Sequence, residues 1–107
     1  MQLTEKKCVP CEGGVPPLNN PEIKELLKQT LRWSVKEGKL FREIKFKDFK
    51  QAIKFINEMA DLAEQEDHHP DFTLHSWNKV SVTLYTHAIN GLSENDFILA
   101  AKINKIL

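Results

Sequence analysis

No stretch of this chain approaches the roughly 20 consecutive apolar residues that cross a bilayer, and its first residues carry no apolar core of a secretory signal. The expectation is a cytoplasmic protein with no membrane partner. An excess of either charge is missing as well. Lys and Arg total 15, Asp and Glu total 15, and no block of like charge stands out. A nucleic-acid binder concentrates basic residues on some element, so no nucleic-acid partner is expected. Internal repeats and low-complexity segments are also absent. What is there is 107 residues, enough for one domain with a modest core that needs no staples.

Cysteine is scarce: Cys8 and Cys11 form a lone C-x-x-C in "KKCVPCEGGVPPL". Such a pair is either a redox dithiol or half of a zinc site. Thioredoxin-like chemistry wants it between a strand and a helix, whereas here Gly-Gly and Pro-Pro follow, the mark of irregular chain. A four-ligand zinc site lacks its second pair. Residues 1–17 therefore read as an irregular leader carrying two reduced thiols on a mobile tail, with zinc shared with a histidine or a second subunit as the alternative. Residues 18–107 read as the single domain.

Periodicity organises that domain. Asn20 as N-cap, Pro21 at the first helical position and Ile23, Leu26, Leu27 and Leu31 at helical spacing predict a helix over 21–31. Trp33 and Val35, a turn at Glu37-Gly38, then Leu40, Ile44 and Phe46 predict a β-hairpin. The longest periodic segment starts at Asp48, a helix cap, and runs to about residue 66. Phe49, Ile53, Ile56, Ala60 and Ala63 form one stripe, with Ala52, Phe55, Met59 and Leu62 beside it. Together they span about 180°, against the roughly 100° that seats a helix on one core. The surplus predicts contact with a second subunit, with Phe55 and Leu62 at that contact.

Phe72 and Leu74 mark a short strand, a turn falls around Trp77-Asn78-Lys79, and Val80, Val82 and Leu84 alternate with Ser81, Thr83, Tyr85 and His87 in a strand with one buried face. Ser93 and Asp96 resemble a capping box before the apolar face Phe97, Ala100, Ala101 and Ile103. The order is α-β-β-α-β-β-α. It predicts an α+β fold, a four-stranded antiparallel sheet with three helices packed on it.

Between the second helix signal and the second hairpin stands "QEDHHPDF", with His68 and His69 side by side. Metal ligands on a helix sit at i and i+4, and neighbouring residues point apart in helix and strand alike. Only an irregular loop lets them converge, and Pro70 supplies one. No orienting carboxylate stands ready for each ring, so a metal is not favoured. Acid/base use fits better, because histidine titrates near neutrality. Pro70 biases His69 away from helical geometry and so ends the helix near Asp67, and Glu64 at i−4 is placed to orient His68. From the residues alone, a catalytic and a structural use of the pair both stand.

A wider pattern resembles a known family. "FKDFKQAIKFINEMADLAEQEDHHP", Asn-Lys-Val at 78–80, Thr-His at 86–87 and Gly-Leu-Ser-x-x-Asp at 91–96 are similar, in that order, to the pterin-4a-carbinolamine dehydratases. In animals that family is also known as a dimerisation cofactor of a homeodomain transcription activator. The similarity runs from about Leu31 to Ile103. It implies an α+β fold, a dimer or tetramer formed here through the helix at about 48–66, and dehydration of 4a-hydroxytetrahydropterin to quinonoid dihydropterin, which recycles the cofactor of aromatic amino-acid hydroxylases. It implies no cofactor and no metal, the pterin being the substrate.

By the same resemblance His68, His69 and His87 are the expected catalytic set. His69 and His87 are expected to move protons, and His68 to bind and polarise the pterin. Asp67, Pro70, Tyr85, Thr86 and Ala88 are expected to contact substrate, as are Glu64 and Asp96, with Asp96 also orienting His87. Departures from vertebrate members fall at "DFTLHSW", one residue longer, at Trp77 where Tyr is usual, and at Ala88 where Glu is usual. His75 reads as a surface residue. Two other uses of the fold are a protein-interaction module acting through its wide helix face, and a role linked to molybdopterin metabolism.

Overall fold

The computed structural model describes residues 2–9 and 16–107. Its first helix, α1 (Asn20–Leu27), is capped by Asn19 rather than Asn20. The Asn19 side chain accepts from the Glu22 N–H at 3.0 Å, and the Glu22 carboxylate accepts from the Asn19 N–H at 2.9 Å. Pro21 is thus the second helical residue. The helix also stops short of residue 31. Buried Thr30 bonds back through its hydroxyl to the Leu26 carbonyl at 3.2 Å, and Arg32, at φ 72°, turns the chain away.

Two hairpins follow as expected. The strands β1 (Ser34–Lys36) and β2 (Lys39–Lys45) join through Glu37 and Gly38, both at positive φ, the backbone that a two-residue hairpin demands. The strands β3 (Asp71–His75) and β4 (Lys79–Leu84) join through Ser76 and Trp77, again at positive φ. Asn78 ties this turn to the first hairpin, donating from Nδ2 to the Phe46 carbonyl at 2.9 Å. The sheet order is β1-β2-β4-β3, antiparallel throughout. His75 lies partly exposed on it, its Nε2 2.8 Å from Glu43 Oε1.

Between the hairpins runs α2 (Phe49–Glu66), with the Asp48 carboxylate accepting from the Gln51 N–H at 2.8 Å. Its two stripes separate. Ala52, Phe55, Met59 and Ala63 enter the core, whereas Phe49, Ile53 and Ala60 remain exposed. Phe55 is therefore a core residue and not a free contact surface, and Leu62 packs half-buried against the core. The sequence pattern measured the width of the apolar arc without saying which edge the sheet would take.

The last helix, α3 (Glu94–Lys105), is buried on more than the expected stripe. Ile98 and Leu99 join Phe97, Ala100, Ala101 and Ile103 inside. The leader shares this core. A single 3-10 turn at Leu3–Glu5 packs on α3, and Leu3 and Cys8 belong to the same core cluster. The mobile-tail reading is thus corrected for Cys8, while Cys11 lies outside the described residues. Phe97 has no exposed surface and Leu31 is 71% exposed. Phe97→Ala should cost about 3–5 kcal/mol in urea unfolding, and Leu31→Ala within about 0.5 kcal/mol. Equal effects would contradict this core.

Candidate active site

The helix carrying the histidine pair ends in a left-handed residue. Asp67 adopts φ 51°, a region that aspartate tolerates better than most, and the His68 N–H reaches back to the Ala63 carbonyl at 3.2 Å. This reversal, rather than Pro70, ends α2. It also sends the two rings to different carboxylates. His68 Nε2 lies 2.7 Å from Asp96 Oδ1, and His69 Nε2 lies 2.6 Å from Glu64 Oε2. The expected pairings are therefore corrected: Glu64 meets His69 and not His68, and Asp96 meets His68 and not His87. An i,i+4 contact from Glu64 needs His68 to continue the helix, and the helix has already ended.

Asp96 has no exposed surface. Its Oδ2 accepts from the Thr86 hydroxyl at 2.8 Å and from the Ser93 N–H at 3.0 Å. With Oδ1 on His68, both oxygens are satisfied, as a buried carboxylate requires. A carboxylate that accepts at this contact does so from the proton of His68 Nε2.

His87 is not on the strand face with Ser81, Thr83 and Tyr85, because β4 stops at Leu84. It opens a 3-10 turn, His87–Ile89, inside a loop closed by the Thr86 and Gly91 backbones at 3.0 Å. Its exposed ring stands edge-on to Tyr85, with centroids 5.0 Å apart. Tyr85 in turn donates its hydroxyl to Asn90 Oδ1 at 2.7 Å. The loop is thus held from both ends, by Thr86 on Asp96 and by Tyr85 on Asn90.

These segments enclose a cleft of about 320 Å³. Asp67, His68 and His69 line it, as do Tyr85, Thr86, His87 and Ala88, with Val9 and Asn95 completing it. Of the expected residues, Glu64, Pro70 and Asp96 do not line it. Asp96 is covered by the groups it binds, and Glu64 is spent on His69. Sequence reasoning missed Val9 and Asn95. Asn95 fills a variable position of the Gly-Leu-Ser-x-x-Asp segment, and Val9 has no local signal at all. Among the described residues no three His, Cys, Asp or Glu side chains converge as metal ligands do.

The leader is tied to this site. Glu66, the last residue of α2, accepts from the Cys8 N–H at 2.9 Å and from Lys102 Nζ at 2.8 Å. Burial raises the Glu66 carboxyl, but the bonds from Lys102 and Cys8 outweigh it and hold the group below its ordinary value. Burial first, and then the Glu66 charge, push the Cys8 thiol up to about 12.

Comparison with known proteins decides the relationship. The family profile described as "Pterin 4 alpha carbinolamine dehydratase" matches residues 16–106. The chain belongs to this family. A Rickettsia bellii protein named "Putative pterin-4-alpha-carbinolamine dehydratase" is 56% identical over 95% of this chain and 91% of its own. One of the same name from Alkaliphilus metalliredigens is 52% identical over 96% and 94%. The crystal structure of a "transcriptional coactivator/pterin dehydratase" from Brucella melitensis superposes with a TM-score of 0.79 at 38% identity, covering 84% of this chain and 97% of that one. A pterin dehydratase-like protein described as a RuBisCO assembly factor shares the fold alone, at 24% identity and a TM-score of 0.57.

The buried thiol gives a test of the leader's place in this dehydratase fold. A thiol whose folded value lies above its unfolded one favours the fold below about pH 9. It gives up that contribution as pH rises toward 12. The urea midpoint should fall further between about pH 8 and pH 11 in a Cys11→Ser protein than in Cys8→Ala/Cys11→Ser. In the former, Cys8 should also resist alkylation at about pH 8 until the chain unfolds. Parallel losses and rapid native alkylation would place Cys8 in solvent.

Proposed function

We propose that the protein dehydrates a 4a-hydroxytetrahydropterin to the quinonoid dihydropterin and water, and so recycles the cofactor spent by an aromatic hydroxylase. The observation that carries this reading is the convergence of His68, His69 and His87 on one cleft. The reaction breaks the C4a–O bond, with a proton delivered to the departing hydroxyl, while N5 loses its proton and the C4a–N5 double bond forms. Nothing in that balance calls for a nucleophile, a nucleotide or a metal.

The three rings suit different parts of this task. His68 is mostly enclosed and locked on a buried carboxylate, so it serves as the fixed element that binds and polarises the heterocycle. His69 and His87 are exposed at the cleft, where they exchange protons with water between turnovers. They are the proposed general acid and base. His69→Ala and His87→Ala should each lower turnover about 10²–10⁴-fold in a stopped-flow assay of carbinolamine decay. Circular dichroism should be unchanged, and the double mutant should lose less than the product of the single losses. Full activity in both single mutants would make these histidines structural.

The chain is further proposed to associate with copies of itself through the exposed stripe of α2. Phe49 is 51% exposed and Ile53 lies beside it on the same face. Ile53→Glu should shift the sedimenting species toward the monomer without loss of helix. A wild type that already sediments as a monomer would leave this face to a different protein partner, which is the interaction-module reading.

A further inference from the structure

Val9 is 66% exposed, an apolar side chain in water, yet its backbone is held at both polar groups. Its N–H donates to Asn95 Oδ1 at 3.1 Å, and its carbonyl accepts from Asn95 Nδ2 at 2.6 Å. One residue earlier the Cys8 N–H is fixed on Glu66 at 2.9 Å. Both anchors belong to the frame of the histidine cleft. Glu66 directly precedes Asp67 and His68, and Asn95 directly precedes Asp96. Asn95 is itself buried, so its amide cannot swing away to water.

Ordering a backbone in this way costs conformational entropy. A packed side chain normally offsets that cost, and Cys8 does so by burial. Val9 does not: it lines the cleft and stays largely in water. The arrangement is productive once a flat apolar surface lies there. The histidines and the Asp67 carboxylate offer polar groups to a ligand's edges, whereas Val9 offers only van der Waals contact and the exclusion of water.

The geometry points to Val9 as a substrate-contacting wall of the cleft, pressed on the face of a reduced pterin, with Asn95 as the residue that positions it. This rests on the pterin reading above and adds the leader to the site. A contact of this kind is the same in the ground state and the transition state, so it acts on KM and leaves kcat nearly alone. Asn95 holds both backbone polar groups of Val9, so its loss and the loss of the isopropyl group should not add.

The test uses the full chain with Val9→Ala, Val9→Trp, Asn95→Ala and the double Val9→Ala/Asn95→Ala variant. Two readouts are taken: steady-state dehydration of the carbinolamine, and binding of 7,8-dihydrobiopterin followed by its fluorescence. Val9→Ala should raise KM and the dissociation constant about 3- to 10-fold, the worth of one or two methyl groups against a ligand face, with kcat down less than about threefold. Val9→Trp should weaken binding at least about 10-fold by filling the cleft. The double variant should match Asn95→Ala alone.

Unchanged KM and binding in both Val9 variants of an active wild type would overturn the role of the leader and leave the dehydratase reading standing. A wild type that neither binds the dihydropterin nor dehydrates the carbinolamine would overturn both. Should Asn95→Ala fail to fold, the two Val9 variants still decide the matter, because their side chain is outside the core.

Discussion

The buried carboxylate of Asp96 is the constraint around which the rest of the molecule is arranged. An ion withdrawn from water costs several kcal/mol unless its lone pairs are met. The donors that meet them come from three separate parts of the chain: the Ser93 backbone at the head of α3, the Thr86 hydroxyl beyond β4, and the His68 ring beyond α2. The helix start adds its own favourable field. Satisfying one charge therefore fixes the distance between the two walls of the cleft. A fold that lost any of the three would leave an unmet acceptor inside.

That arrangement divides the site into a rigid half and an accessible half. His68 shares the burial of the carboxylate it binds, whereas the contact of His69 with Glu64 is solvent-exposed and adds little to stability. The loop of His87 is fastened at its base through Thr86, but its tip is open. In the proposed reaction, binding rests on the rigid half and proton traffic on the accessible one.

Much of this was legible in the sequence, for local reasons. The helical periods of α2 and α3, the Glu37-Gly38 turn and the alternation of Val80, Val82 and Leu84 each report a neighbourhood of a few residues, and each reappears in the structure. The histidine set and the Tyr85–Ala88 stretch were legible through family resemblance, and they do meet at one cleft. What was not legible is tertiary. A single left-handed residue, Asp67, exchanged the carboxylate partners of the histidines. The leader packs on α3 although its own residues show no periodicity, and Cys8 is held by partners on α2 and α3. The wide arc of α2 foretold surplus apolar surface. Only the direction of the sheet determined that Phe55 goes inward and Ile53 outward.

The strand order also says something about how the molecule comes to exist. Each hairpin pairs neighbours in the chain and forms quickly, but the central ladder, from Leu40 opposite Leu84 to Lys45 opposite Lys79, joins strands separated by the whole of α2 and β3. Loop-closure entropy must be met before that ladder yields any return. The intervening helix, capped at Asp48, shortens the wandering length when it forms first. Sequence separation therefore puts the entropic cost of assembly into that one ladder. The Asp96 network needs the end of α2, the chain beyond β4 and the head of α3 together, so the cleft is complete only when all three are in place.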